Sequence, residues 1–210
     1  MIITPKVVDI YHNDRVDSFA QARTAGLRGM IHKATTGATG RDDAYTDRRR
    51  LATGAGLLWG AYHWGTHARV KDQVANFLAA AKPDDKTLVA LDFEETKGNQ
   101  MTLDQAKDFL RLLSEKLGRK PVIYAGGLLK DQLGSHQDDF FGSHRLWLAQ
   151  FGEHPVPQAS WSKFCLWQYT DGEAGPDKKT VPGIPGNSEG HLDCDHFPGS
   201  EEELAAQWAS

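Results

Sequence analysis

Asp92 and Glu94, in the stretch TLVALDFEETKGNQ at residues 87–100, end an apolar run with the composition of a buried strand. Side chains two apart on a strand point to the same face. Asp92 and Glu94 therefore share one face, while Leu91 and Phe93 take the other and pack outward. Two carboxyls crowded into a partly apolar setting do not ionise alike. Burial and neighbouring negative charge raise one pKa while the other group stays ionised. That gives an acid and a base near neutral pH, the pair that glycoside hydrolysis needs.

Other chemistry-bearing residues fall at comparable places, where an apolar run gives way. They are Asp9, Lys33 in IHKATTG, Tyr62, His63 and Trp64 in GAYHW, Tyr124, Gln150, then Trp167, Gln168 and Tyr169, and finally Asp193 and Asp195. Asp193 and Asp195 share a face by the two-residue rule, and so do Trp167 and Tyr169. One polar residue at a strand end only meets solvent; the repetition at every run points to a common rim. Lys33, Tyr62, Trp64, Tyr124, Gln150, Trp167, Tyr169 and Asp195 are the candidate substrate contacts, the aromatic rings suiting the C–H faces of a sugar.

The elements that must bring these residues together follow from the pattern. Short β-rich runs between turn signals predict eight strands, at 6–10, 28–33, 57–63, 87–94, 121–125, 145–151, 164–169 and 191–197. Apolar periodicity predicts helices at 16–25, 42–53, 70–82 and 103–117, a turn or two at 127–133, and a last helix at 201–209 after Ser200. The 103–117 helix has a capping box, Thr102 with Gln105, and a glycine stop at Gly118. Strand–helix alternation indicates parallel βαβ units. The expected fold is α/β: an irregular (β/α) barrel of eight strands, several late helices missing, with residues 1–210 as one catalytic domain. All eight C-terminal strand ends then meet on one rim, where such barrels place their sites.

Composition narrows the function classes. A net charge of −4 gives no basic face for nucleic acid. The basic run DRRR at 47–50 is expected to be a solvated helix face. No run of 18 apolar residues predicts a membrane span, and the first residues lack the pattern of a secretion signal. Cys165 and Cys194 form no CxxC and are expected to be free, buried thiols. No metal or cofactor is expected.

The chain resembles glycoside hydrolase family 25, the ch-type lysozymes or N-acetylmuramidases. The matching pieces run in the family's order: VVDI at 7–10, HKATTG at 32–37, AGLLWGAYHW at 55–64, QVANFL at 73–78, LDFEE at 91–95, KPVIYAG at 120–126, LWLAQF at 146–151, LWQYT at 166–170 and LDCDHFPG at 192–199. The resemblance implies an irregular β/α barrel that hydrolyses the β-1,4 bond after N-acetylmuramic acid in the glycan strands of bacterial peptidoglycan. It implies Glu94 as acid/base, Asp92 as its partner carboxylate, and Asp9 and Asp193 as the remaining acids, with Asp195 in the place the family gives to Asn or Asp. Tyr11 stands where the family usually has Ser, the 11–18 loop has no Gly, and Thr36 replaces a common Glu; these departures bear on rim contacts and specificity. The expected setting is a monomer, made in the cytoplasm without a signal and acting on the wall after phage-type lysis or secretion. The D-x-E spacing suits retention of configuration, with the substrate's acetamido group as nucleophile. Two other classes stay open: a metal-dependent wall-sugar hydrolase or deacetylase using Asp9, His63, Asp92, Asp193 and Asp195, and a sugar-binding barrel without turnover.

Overall fold

Strand parity sorts the apolar residues into two layers. In the computed structural model, which describes residues 4–176 and 179–210, the chain runs β1 (Val7–Ile10), α1 (Phe19–Thr24), β2 (Gly29–Thr36), β3 (Gly40–Arg41), α2 (Tyr45–Gly54), β4 (Leu58–Trp64), α3 (Val70–Ala81) and β5 (Leu88–Phe93). It continues α4 (Leu103–Leu117), β6 (Val122–Ala125), α5 (Gly127–Leu133), α6 (Asp139–Gly142), β7 (Leu146–Ala149), β8 (Leu166–Thr170), β9 (Asp193–His196) and α7 (Glu201–Gln207). Val7, Ile31, Leu88, Ala90, Val122, Trp147 and Leu166 form an inner cluster. Val8, Met30, Val89, Leu91, Phe93, Ile123 and Leu148 pack outward against helix residues such as Phe77, Phe109 and Leu113.

The sheet order β1-β9-β8-β7-β6-β5-β4-β2 closes through pairing of β1 with β2, and β3 is a short hairpin arm on β2. Seven barrel strands are parallel. The eighth departs from the expected all-parallel rim: β9 runs antiparallel to both neighbours, β1 and β8. A crossover helix returns a chain to the opposite end of a barrel, whereas no helix lies among the described residues between β8 and β9. That connection starts and ends at the same rim, so β9 enters the barrel from the mouth. Its first residue, Asp193, stands beside Asp9, and Asp195 stands lower, beside Val7.

The far end is plugged. Leu204 and Trp208, at and just after α7, join the inner cluster with Phe197, and the Trp208 indole donates to the Trp59 carbonyl at 2.7 Å. The ring passes so close to Gly29 that a Cβ there would stand 2.7 Å from its Cη2, which explains a glycine at the start of β2. At α4, Thr102 and Gln105 make the expected reciprocal cap and Gly118 ends the helix at φ 68°.

The DRRR run is a solvated face only in part, at Asp47 and Arg50. Arg48 donates to the carbonyls of Tyr11 (2.6 Å) and Asp14 (2.5 Å), clamping the loop after β1, and Arg49 donates to the carbonyls of Ala81 and Lys82 at the end of α3. Only Arg50 of the three points to solvent, with its side chain 70% exposed. Both cysteines are free thiols. Cys194 packs in the outer layer and Cys165 against the inner one, so the barrel wall separates them.

Candidate active site

The inner faces of seven strands converge at the C-terminal end of the parallel set. Asp9 (β1), Tyr62 and Trp64 (β4), Asp92 (β5), Tyr124 (β6), Trp147 (β7), Gln168 (β8) and Asp193 (β9), with Glu94 just beyond β5 and Phe151 beyond β7, line a hollow of about 170 Å³. Register sets the level: Asp92 lies beside Trp64 on one side and Tyr124 on the other. An adjoining hollow of about 390 Å³ shares Glu94 and Phe151 and adds Glu95, Gly126, Asp131 and Gln150. Glu94 therefore stands where the two spaces meet. A larger hollow of about 440 Å³ lies elsewhere, against Arg145, Trp161, Cys165 and Gln207, and holds none of these acids.

Hydrogen bonds join the acids across the barrel. Gln168 donates through Nε2 to Asp9 Oδ2 at 2.8 Å and accepts the Tyr124 hydroxyl at 2.8 Å; Glu94 Oε1 is 3.4 Å from the same hydroxyl. Asp92 is 3% exposed, and its Oδ1 is buried with no hydrogen-bond partner. Lys33 sits at the edge, its ammonium 4.4 Å from the centre of the Tyr11 ring and 5.4 Å from that of Trp64.

Burial governs the electrostatics. It drives Asp92 well above the ordinary carboxyl range, with repulsion from Glu94 and Asp9 adding to the effect. Asp9 is also raised strongly, by burial and then by Asp195. Asp193 is pushed up to about 9 by burial and Asp9. Glu94 is raised by burial, while the Tyr124 hydroxyl and the Lys33 charge pull it back. The mouth thus keeps carboxylic acids protonated under conditions in which exposed ones are ionised.

The structure brings Asp9, Tyr62, Trp64, Asp92, Glu94, Tyr124 and Asp193 into one hollow, with Lys33 at its rim. Four expected contacts lie outside it. Trp167 and Tyr169 face outward into the helix-side layer, the Trp167 indole donating to the Gln150 carbonyl. β8 is buried on both faces, so its aromatic residues carry no information about which parity turns inward; the inward parity carries Leu166 and Gln168. Asp195 lies inside the barrel but beneath the mouth, bound to the Trp147 indole at 2.6 Å. Gln150 lines the adjoining hollow, where its Oε1 accepts from Lys130 (2.5 Å) and from the Val156 amide (3.2 Å). Trp147 and Phe151 belong to the hollow without having been singled out, and Gln168 was named among the rim residues but not among the expected contacts. The lone amide of β8 was the available signal for Gln168; nothing in LWLA marked Trp147.

His63 also turns outward. Its ring stacks on Phe109 at 4.8 Å, with Nδ1 2.7 Å from Thr35 Oγ1 and Nε2 3.1 Å from Gln73 Oε1. It cannot join Asp9 and Asp92 around a metal, and no group of three or more His, Cys, Asp or Glu among the described residues could hold one.

The family model for glycosyl hydrolases family 25 matches residues 8–177. The chain belongs to this family. Its family-25 barrel is similar to a bacterial lysozyme from Streptomyces coelicolor, with TM-score 0.84 and 22% identity over 98% of this chain and 97% of that one. It is also similar to a muramidase from Trichobolus zukalii, with TM-score 0.79 and 25% identity over 98% and 99%. The Escherichia coli O157:H7 protein YegX, described as uncharacterized, is 28% identical over 207 residues, 92% of this chain and 69% of its own. The chain is thus a glycoside hydrolase. Gln168→Leu keeps the bulk of the side chain but leaves the Asp9 oxygen unpaired. Leaving a buried acceptor unpaired costs about 1–3 kcal/mol, so kcat/KM on purified cell wall should fall roughly 5–100-fold with the circular dichroism unchanged. An unchanged rate would show that the Asp9–Gln168 link is not used.

Proposed function

We infer that this family-25 chain is a retaining N-acetylmuramidase, cutting the β-1,4 bond between N-acetylmuramic acid and N-acetylglucosamine in peptidoglycan. Family membership supports the reaction class. The observation that carries the mechanism is the arrangement of Asp92 and Glu94: one buried acid with an unpartnered oxygen, beside one acid at the junction of two hollows.

Glu94 is the proton donor and then the base. Protonated through burial, it faces the leaving oxygen; once its proton has gone to the departing sugar, its carboxylate takes one from the incoming water. Asp92 positions the nucleophile. Its carboxyl lines the hollow and can accept the N–H of the substrate's 2-acetamido group, turning the acetamido oxygen toward the anomeric carbon. That oxygen forms a bond to carbon as the glycosidic C–O bond breaks. Water then opens the ring so formed, and two inversions give retention. Asp9 and Asp193 shape the charge around the muramic acid, with Tyr62, Trp64, Tyr124 and Lys33 as the contacts that hold it. The chain acts as a monomer on wall glycan, reaching it after phage-type lysis or secretion. No helix among the described residues is long and apolar enough to cross a membrane.

Glu94→Gln preserves shape but cannot exchange the proton. Release of reducing ends from purified peptidoglycan should fall by roughly 10²–10⁴-fold, and turnover within tenfold of the parent contradicts the role. A wall whose muramic acid is de-N-acetylated lacks the internal nucleophile, so its cleavage should nearly stop. If it is cut as fast as acetylated wall, a protein carboxylate attacks instead.

A further inference from the structure

Asp195 is an acid of the cluster that does not line the mouth. It lies on the inner face of β9, two residues below Asp193, and is fully buried. Its Oδ1 accepts the Trp147 indole N–H at 2.6 Å, but its Oδ2 is buried with no partner. Asp9, on the neighbouring strand, is held from the other side by the Gln168 amide at 2.8 Å, and Gln168 is itself the β8 residue in register with Asp195. Asp195 stands diagonally across from Asp9 on the paired strand, and each carboxyl acts on the other.

We propose that Asp9 and Asp195 share one proton across the barrel interior, making Asp195 a positioning residue that holds the Asp9 carboxyl at the floor of the hollow. The claim that this matters for turnover rests on Asp9 belonging to the reactive cluster; the shared proton itself does not. Two ionised carboxyls have no donor between them and repel in a medium of low dielectric. One proton turns that contact into an O–H···O⁻ hydrogen bond, among the stronger kinds, and gives Oδ2 its missing partner. The proton comes from solvent on folding and returns there on unfolding; no other bond changes. Trp147 and Gln168 each supply one neutral donor, so neither carboxyl is forced to be the protonated one, and the pair titrates as a unit. The other titratable groups around Asp195 are Asp193 and Cys194 on β9, Tyr169 on β8 and Cys165 just before it, none of which carries positive charge. Burial supports the same assignment, raising Asp195 to about 8.

The test uses folding as well as turnover. Asparagine at 195 can donate its amide to Asp9 and accept from Trp147 with no proton required. An acid whose folded pKa lies above its unfolded one loses stability as pH rises between the two values. The parent should therefore lose stability relative to Asp195→Asn from about pH 5 to 8, the ratio of their unfolding constants in urea changing by up to tenfold per pH unit, the slope for one proton. Asp9→Asn should remove the same slope from the other partner, which keeps the test open if one variant fails to fold. The alkaline limb of the parent's pH–rate profile should move in Asp195→Asn, a shift that loss of packing alone would not give. A stability ratio flat with pH in the variants overturns the shared proton. A sloping ratio in a chain without muramidase activity upholds it and overturns only the functional reading.

Discussion

Carboxyls gathered at the mouth of a barrel, largely out of water, set the terms for the rest of this molecule. Asp9 and Asp92 at the mouth and Asp195 beneath it are each no more than 6% exposed, and Asp193 and Glu94 stand beside the first two. An unpaired charge there is costly, so the groups respond by holding protons. Lys33 is the cation whose charge acts on both Asp92 and Glu94, and it works from the rim, against the rings of Tyr11 and Trp64. The same burial that makes the cluster expensive to fold makes it useful, because a carboxylic acid that remains protonated near neutral pH can give its proton to a leaving oxygen.

The architecture serves that arrangement. Parallel strands deliver Asp9, Asp92 and Gln168 to one rim, with Glu94 immediately after β5. The antiparallel β9 delivers Asp193 to that rim from the opposite direction and sends Asp195 below it. Neutral donors then fix the acids without supplying a counter-charge: Gln168 on Asp9, the Trp147 indole on Asp195, and Tyr124 between Gln168 and Glu94. Away from the mouth, Arg48 clamps the loop that follows Asp9, and Trp208 closes the far end of the barrel. An outer acid and a deep acid thus arise from neighbouring positions on one strand.

Much of this was legible in the chain. The alternation of Leu91 and Phe93 with Asp92 and Glu94 gave both the strand and its inward face, because a polar residue on one parity marks the mouth. Thr102, Gln105 and Gly118 marked both ends of α4, since caps act locally. β8 was ambiguous for the opposite reason: LWQYT is buried on both faces, and only its partners decide that Gln168 turns inward. The direction of β9 depends on a connection that carries no crossover helix, and a loop-like composition does not say to which rim it returns. His63 looked like a site residue by position, yet its parity sends it under α3 and α4 against Gln73 and Phe109.

The central claim is that burial keeps the mouth acids protonated well above the ordinary carboxyl range. Carbon-13 NMR of the side-chain carboxyls of Asp and Glu, titrated from acid to alkaline pH and assigned with single Asn and Gln variants, measures this directly. The account predicts that Asp9, Asp92 and Asp193 titrate far above the roughly 3.9 of a free aspartate, and that Glu94 titrates above about 4.3. Titration of all four within the ordinary range would contradict it.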